Sequence, residues 1–219
     1  MSVIGLIIRI NLTCPDCNNA IPVNKIKNEA ECPNCMSVVK LPAAWWKEEI
    51  FSSEQLKEAS DCKEGEYFTC SVYTGELKYD LIYGKRFPRC QVCKNDLTED
   101  TKWTLDDIRL AAENSEFIRC KKCNDAVTIR IPDEFVKSLF HLPVHAIIAE
   151  DFDQKADSEF KGELMMFACL QCGASLKCDG SARVVSCSYC NSDNFLPQEL
   201  WRRLHPVPKP KFLFILAEL

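Results

Sequence analysis

The chain has 219 residues, with 27 Lys+Arg against 32 Asp+Glu, a formal charge of −5 and 47% hydrophobic residues. This allows one or two domains with a packed interior and excludes a disordered tail. The longest apolar runs, Val3 to Ile8 and Phe212 to Ala217, fall far short of the ~18 residues that cross a bilayer, so no membrane span is expected. Met1 to Leu12 shows neither the positive start nor the cleavage site of a secretory signal, and a cytoplasmic location is expected.

In chain order, Val3 to Ile10 reads as a strand. The pairs Cys14/Cys17 and Cys32/Cys35 follow, and then Leu41-Pro42 and Trp46. Proline suits a helix start, where its missing N–H would find no intrahelical partner. Ser52-Ser53-Glu54-Gln55 has the look of a capping box that opens a short helix ending before Gly65. Glu66 to Tyr73 and Glu76 to Tyr83, aromatic and β-branched and separated by Thr74-Gly75, predict a hairpin. After Cys90/Cys93, Thr104-Leu105-Asp106-Asp107 starts a helix with Ile108, Leu110 and Ala111 as its apolar face and Asn114 near its end. Cys120/Cys123 come next, and Ile131-Pro132-Asp133-Glu134-Phe135 predicts another helix entered near proline.

Asp151 to Gly162 sets Asp151, Asp153, Asp157 and Glu159 against Lys155 and Lys161, the composition of a flexible link. Cys169/Cys172 and Cys187/Cys190 are the last pairs. Pro206, Pro208 and Pro210 then lead stiffly into a strand from Phe212 to Leu216. That strand is expected to pair with the N-terminal one; the alternative is the sheet edge of another protein.

Twelve of the fifteen cysteines thus form six Cys-x-x-Cys pairs, which leave Cys62, Cys70 and Cys178. Two intervening residues let a tight turn aim both sulfurs at one point, and a second turn completes a tetrahedral four-sulfur site. Six turns make three sites, with internal gaps of 14, 26 and 14 residues, near the spacing that reads as zinc. The residue after the second cysteine of such a turn favours a left-handed backbone and hence Gly or Asn. Here it is Asn18, Met36, Lys94, Asn124, Gly173 and Asn191, so Met36 and Lys94 depart from the preference.

Disulfides are disfavoured in a reducing cytosol. Thioredoxin-like redox work needs one pair, not six. Iron held as in rubredoxin competes, because four thiolates suit it too. Structural zinc is the expected occupant, three ions on Cys14, Cys17, Cys32, Cys35, on Cys90, Cys93, Cys120, Cys123, and on Cys169, Cys172, Cys187, Cys190. A four-thiolate site has no open position for water or substrate, so zinc there holds the fold and does no chemistry.

The motifs CPDC and CPNC at 14–35, CQVC and CKKC at 90–123, and CLQCG and CSYC at 169–190 resemble those of zinc ribbons, over about a third of the chain. The resemblance implies fold and metal but little about activity. The implied fold class is a small, metal-stabilised α+β protein, with three four-cysteine ribbons joined by short helices and a β-hairpin. The expected division is a first ribbon with the N-terminal strand at 1–50 and a helix and hairpin connector at 51–84. A second ribbon with a helical insert occupies 85–140, a connector with the acidic link 141–163, and a third ribbon with the C-terminal strand 164–219.

The first and third sites also repeat at a constant offset of 155: Cys14, Cys17, Cys32, Cys35, Leu41, Pro42 and Trp46 map onto Cys169, Cys172, Cys187, Cys190, Leu196, Pro197 and Trp201. Trp46, Phe135 and Trp201 are expected as core aromatics, each covering its own ribbon. Cys178 aligns with Val23 and reads as a small, half-buried side chain. Cys62 and Cys70 read as structural cysteines and not as a reactive dithiol.

No catalytic signature appears. His141, His145 and His205 lack the spacing of a metal motif, Pro143 interrupts the only close pair, and seven glycines include no phosphate loop. An enzyme is not expected. Counting twelve thiolates against three divalent ions lowers the formal charge by six, from −5 to −11, the wrong sign for a phosphate-dominated interface. Local cations remain at Arg119, Lys121 and Lys122, and at Arg202, Arg203, Lys209 and Lys211.

The expected function is a non-enzymatic adaptor or scaffold that binds another protein, within a larger complex, as zinc replaces the core that small modules lack. A nucleic-acid binder and a rubredoxin-like electron carrier are the alternatives. The first surfaces to consider for a protein partner are Phe212 to Leu216 and the hairpin around Tyr73 and Tyr79.

Overall fold

The computed structural model describes residues 3–75, 77–97, 105–114, 117–151, 165–206 and 208–218. Glu76, Thr104 and the acidic segment after Asp151, read above from sequence, lie outside them. The chain is a mixed α/β protein, mostly strands with few helices, and it divides into two compact units. Unit 1 is Met1–Phe152 with Lys209–Leu219, and unit 2 is Asp153–Pro208.

Unit 1 begins with β1 (Val3–Thr13), β2 (Ala20–Val23), β3 (Glu29–Glu31) and β4 (Val38–Lys40). The helix α1 (Ala43–Trp45) runs into a π-helical turn at Trp46–Ile50 and is followed by α2 (Ser53–Asp61). Pro42 caps α1, and the Ser52 side chain accepts from Gln55 N–H at 3.3 Å to open α2, as the capping pattern predicts. The hairpin forms as β5 (Tyr67–Thr74) and β6 (Leu77–Lys85), turning at Gly75 with φ 58°. Next come α3 (Leu105–Asn114), β7 (Phe117–Arg119), β8 (Ala126–Arg130), α4 (Glu134–Lys137) and β9 (Val144–Ile148).

Unit 2 holds β10 (Met165–Ala168), β11 (Ser175–Cys178), β12 (Val184–Ser186), β13 (Asp193–Phe195) and α5 (Gln198–Leu204). The chain then returns to unit 1 as β14 (Leu213–Glu218). Among the described residues no helix is long and apolar enough to cross a membrane.

The main sheet is antiparallel, in the order β5-β6-β1-β14-β9-β8-β7, with β2 beside β1. One edge of β1 pairs Val3–Ile8 with β14 and Ile10–Thr13 with β2; the other pairs Leu6–Thr13 with β6. The two terminal strands therefore pair with each other, Val3 opposite Glu218. Because strand side chains alternate, β1 sends Leu6, Ile8, Ile10 and Leu12 into one core and Ile7 into another. Likewise β14 sends Leu213, Ile215 and Ala217 to the first core and Phe214 and Leu216 to the second. Burial on both faces explains why these two segments are apolar without alternation.

Where β2 ends and β14 begins, Asn24 ties the edge together. Its side chain donates to Lys209 O at 3.0 Å and Asp151 Oδ2 at 2.9 Å and accepts from Lys211 N–H at 2.8 Å, while its carbonyl accepts from Asp151 N–H at 2.9 Å. Unit 2 is therefore inserted between β9 and β14, two strands that pair directly with each other.

Three side-chain placements differ from the sequence reading. Leu110 is 59% exposed while Ile108 is buried, because positions two apart lie on opposite sides of a helix. Tyr79 is fully buried, and its hydroxyl donates to Glu49 Oε2 at 3.1 Å, so of Tyr73 and Tyr79 only Tyr73 faces solvent. Leu213 to Leu216 is buried as well, which leaves no exposed C-terminal strand for a partner.

Candidate metal centres

All six Cys-x-x-Cys turns share one geometry. The first cysteine accepts from the N–H four residues on, as Asn18 donates to Cys14 O at 2.9 Å, and donates to the carbonyl five residues on, as Cys14 N–H does to Asn19 O at 2.8 Å. The same two bonds recur at Cys32, Cys90, Cys120, Cys169 and Cys187, all between 2.7 and 3.0 Å. Each turn is flanked by an antiparallel pair, such as Thr13 with Ala20 and Arg119 with Ala126, reduced to the single bridge Arg89–Asp96 before Cys90. The residue after the second cysteine has φ between 55° and 72° in every turn, Met36 and Lys94 included. The two backbone bonds over-determine the turn and hold these residues where their own preference would not.

The turns bring the twelve cysteines into three foursomes whose sulfurs lie within 4.8 Å of one another: Cys14, Cys17, Cys32, Cys35; Cys90, Cys93, Cys120, Cys123; and Cys169, Cys172, Cys187, Cys190. Across the turns, Cys14–Cys35 and Cys17–Cys32 are 3.6 Å apart, Cys90–Cys123 and Cys93–Cys120 3.5 Å, and Cys169–Cys190 and Cys172–Cys187 3.7 Å. A tetrahedron with ~2.3 Å metal–sulfur bonds has edges of about 3.8 Å, so the foursomes fit such an ion with little movement.

Electrostatics within each foursome point the same way. Burial opposes ionisation of Cys17, but N–H donors of Asn19 and Asn34 outweigh it and bring the thiol down to about 6. Cys120, also opposed by burial, is brought to about 7 by the backbone N–H groups of Cys123 and Lys122. The Ser192 hydroxyl and the Cys172 N–H lower Cys169 to about 5. Burial pushes Cys32 and Cys90 up to about 12. At Cys172 the Ala174 N–H lowers the pKa, but the neighbouring Cys190 sulfur and burial carry it up to about 12. Each group thus holds thiolate and thiol together, since four sulfurs this close cannot all ionise alone. A divalent cation removes that obstacle and releases the remaining protons.

The first and third foursomes are copies to the level of hydrogen-bond register. Ile10–Val23 and Thr13–Ala20 recur as Met165–Cys178 and Ala168–Ser175, and Glu29–Lys40 and Glu31–Val38 as Val184–Phe195 and Ser186–Asp193. Leu41 N–H donates to Asn28 O at 2.6 Å, and Leu196 N–H donates to Arg183 O at 2.8 Å. Cys178 fills the place of Val23 and is buried, not half-buried. Trp46 packs in the core that contains Cys14 and Cys32, and Trp201 packs against Cys178 and Leu196. Phe135 does not cover the second foursome, whose Cys90 and Cys120 belong to the opposite core; it packs against the core that contains Trp46.

Of the local cations, Lys122 Nζ donates to Asn95 Oδ1 at 2.7 Å, Arg119 to Asn124 O at 3.3 Å, and Lys211 pairs with Asp151. Sequence reasoning missed the hydroxyls beside the sulfurs, although Ser37 and Ser192 obey the same 155-residue offset. No protein-family model, no curated protein and no solved structure matches this chain.

Proposed function

We propose that the chain is a non-enzymatic adaptor of the zinc-ribbon type, in which three zinc ions on the paired cysteines hold small modules whose surfaces bind another protein. The closed foursomes support a structural metal role, since four sulfurs leave no ligand position for substrate. Zinc suits a tetrahedral all-sulfur set whose four members cannot all ionise without a cation.

The observation that carries the adaptor reading is a contrast between the two copies. In the first, Glu29 and Lys40 stand opposite each other as an exposed ion pair at 2.6 Å. In the third, the same two positions hold Val184 and Phe195, 39% and 69% exposed. The fold tolerates charge at this site, so an apolar pair facing water there serves contact and not folding. Exposed Leu170 and Tyr189 on the turns of that copy add to the apolar surface of unit 2.

The double variant Val184→Glu with Phe195→Lys restores the pair of the first copy. Affinity purification from the native host is expected to recover a stoichiometric protein partner with the wild type and to lose it with the variant, at unchanged metal content. An unaltered partner set, or recovery of nucleic acid in place of protein, would overturn the proposal.

A further inference from the structure

Two glycines pin the chain where β6 leaves the main sheet. Arg86 N–H donates to Gly5 O at 2.8 Å, and a Cβ on Gly5 would stand 2.7 Å from Arg86 C and 2.8 Å from Phe87 Cα. A Cβ on Gly84 would stand 2.6 Å from Tyr67 Cα. Only glycine allows backbones this close, so Tyr67 and Arg86 are fixed against the sheet. Beside them opens a cavity of about 230 Å³, lined chiefly by Ile7, Tyr67, Arg86, Arg89, Lys94 and Phe212. Gln91 Nε2 donates to Phe212 O at 2.9 Å and ties the cysteine turn on one side to the approach of β14 on the other.

Three lining residues are cations and none is a carboxylate, although Cys90 of the second foursome also contributes to the wall, in a chain of formal charge −5. Their charges are unequally engaged. Arg89 turns its guanidinium fork to Asp96, with one bond at 2.9 Å. Lys94 donates one of its three protons to Gln91 O at 2.5 Å and keeps two. Arg86 makes no ion pair among the described residues, and its Cζ lies 3.9 Å from a Cβ placed on Gly65. Tyr67 is 55% exposed and lines the same space.

We propose that this cavity binds a small phosphate monoester carried on a planar ring, a nucleoside monophosphate, with the phosphate on Arg86 and Lys94 and the ring against Tyr67. The guanidinium fork matches two phosphate oxygens, and an aromatic face accepts any base by stacking. Liquid water takes about 30 Å³ per molecule, so the cavity replaces about eight waters. That volume suits a single nucleotide unit and excludes a duplex. A monoester also meets only the local cations, whereas a long polyanion would meet the net negative charge of the whole chain. The monoester could be free or the terminal phosphate of a strand.

Calorimetric titration of the metal-loaded full chain tests this with AMP, inorganic phosphate and a short single strand bearing a 5′-phosphate. Saturable AMP binding is expected, weakened roughly tenfold or more by Arg86→Gln and unaffected by Lys57→Gln on the exposed side of α2. Tyr67→Ala should weaken AMP while leaving inorganic phosphate unchanged. A phosphorylated strand that binds more tightly than AMP, and is also lost in Arg86→Gln, supports the site and assigns it to a strand end. The absence of saturable binding at millimolar AMP overturns the proposal, as does equal affinity in Arg86→Gln at unchanged metal content.

Discussion

The Ser37 hydroxyl lies 3.0 Å from Cys35 Sγ and also reaches Cys14 Sγ at 3.3 Å. Ser192 repeats both contacts, at 3.0 Å from Cys190 and 3.3 Å from Cys169. In the second foursome the equivalent position is Asp125, whose Oδ2 stands 3.8 Å from Cys90 Sγ. A metal held by four thiolates is anionic; a hydroxyl donor spreads that charge, and a carboxylate adds to it. The second centre is therefore expected to lose its ion first to a chelator, with Asp125→Ser slowing the loss roughly tenfold, since a hydrogen bond to a charged group contributes about 1.5 kcal/mol or more. Native mass spectrometry during chelation reads the order directly. Simultaneous loss from all three, or an unchanged rate in Asp125→Ser, contradicts it.

Acid should release the ions in the same order. Thiols with lowered pKa values favour the folded cluster above the ordinary value of 9.0, and this contribution fades as pH falls through their folded values. Those are about 7 for Cys120, about 6 for Cys17 and about 5 for Cys169. The raised thiols Cys32, Cys90 and Cys172 have the opposite sign, favouring the protonated metal-free cluster below 9.0 and fading towards 12. Metal binding competes with protons and shifts every release to lower pH. A descending pH series with zinc counted at each step is expected to empty the second site before the third.

Purified protein should carry three zinc ions. Cys35→Ser or Cys190→Ser is expected to remove one and unfold its own module, because structural zinc contributes on the order of 10 kcal/mol. Cys178→Ser replaces a buried side chain that lies outside the foursomes, and should keep all three ions. Metal analysis checks both; a red, iron-rich sample would remove zinc from the account.

Trp201 is 2% exposed and anchors a core built from Cys178, Leu196 and Leu204. Trp201→Ala should cost ~3–5 kcal/mol, about the whole stability of so small a unit. Hydrogen exchange is expected to show lost protection across 165–206 with unit 1 unchanged. Equal loss in both units would show that they do not fold separately.

What the sequence made legible was local. The foursomes follow from cysteine spacing, the start of α2 from Ser52, the β5–β6 turn from Gly75, and the copied modules from a fixed offset. Residue preference left Met36 and Lys94 as departures, yet backbone bonds from neighbouring positions hold their φ positive like the rest. Tyr79 and Phe135 were misplaced for another reason: which core receives a side chain depends on which strand lies beside it, and those pairings join residues more than fifty positions apart, such as Leu12 with Tyr79. The cavity at Arg86 was invisible for the same cause, since Ile7, Tyr67 and Phe212 meet only in the finished sheet.

The position of β14, between β1 and β9, also sets a schedule for synthesis. It leaves the ribosome after every other strand of the main sheet, so until then β1 and β9 each present a bare, apolar edge. Bare edges of this kind recruit other chains. Unit 2 emerges just before β14 and can close around its own cysteines in the interval. A ribosome stalled before Leu213 should hold unit 2 protected from protease and the main sheet open, whereas one stalled far enough beyond Glu218 for β14 to clear the exit tunnel should protect both.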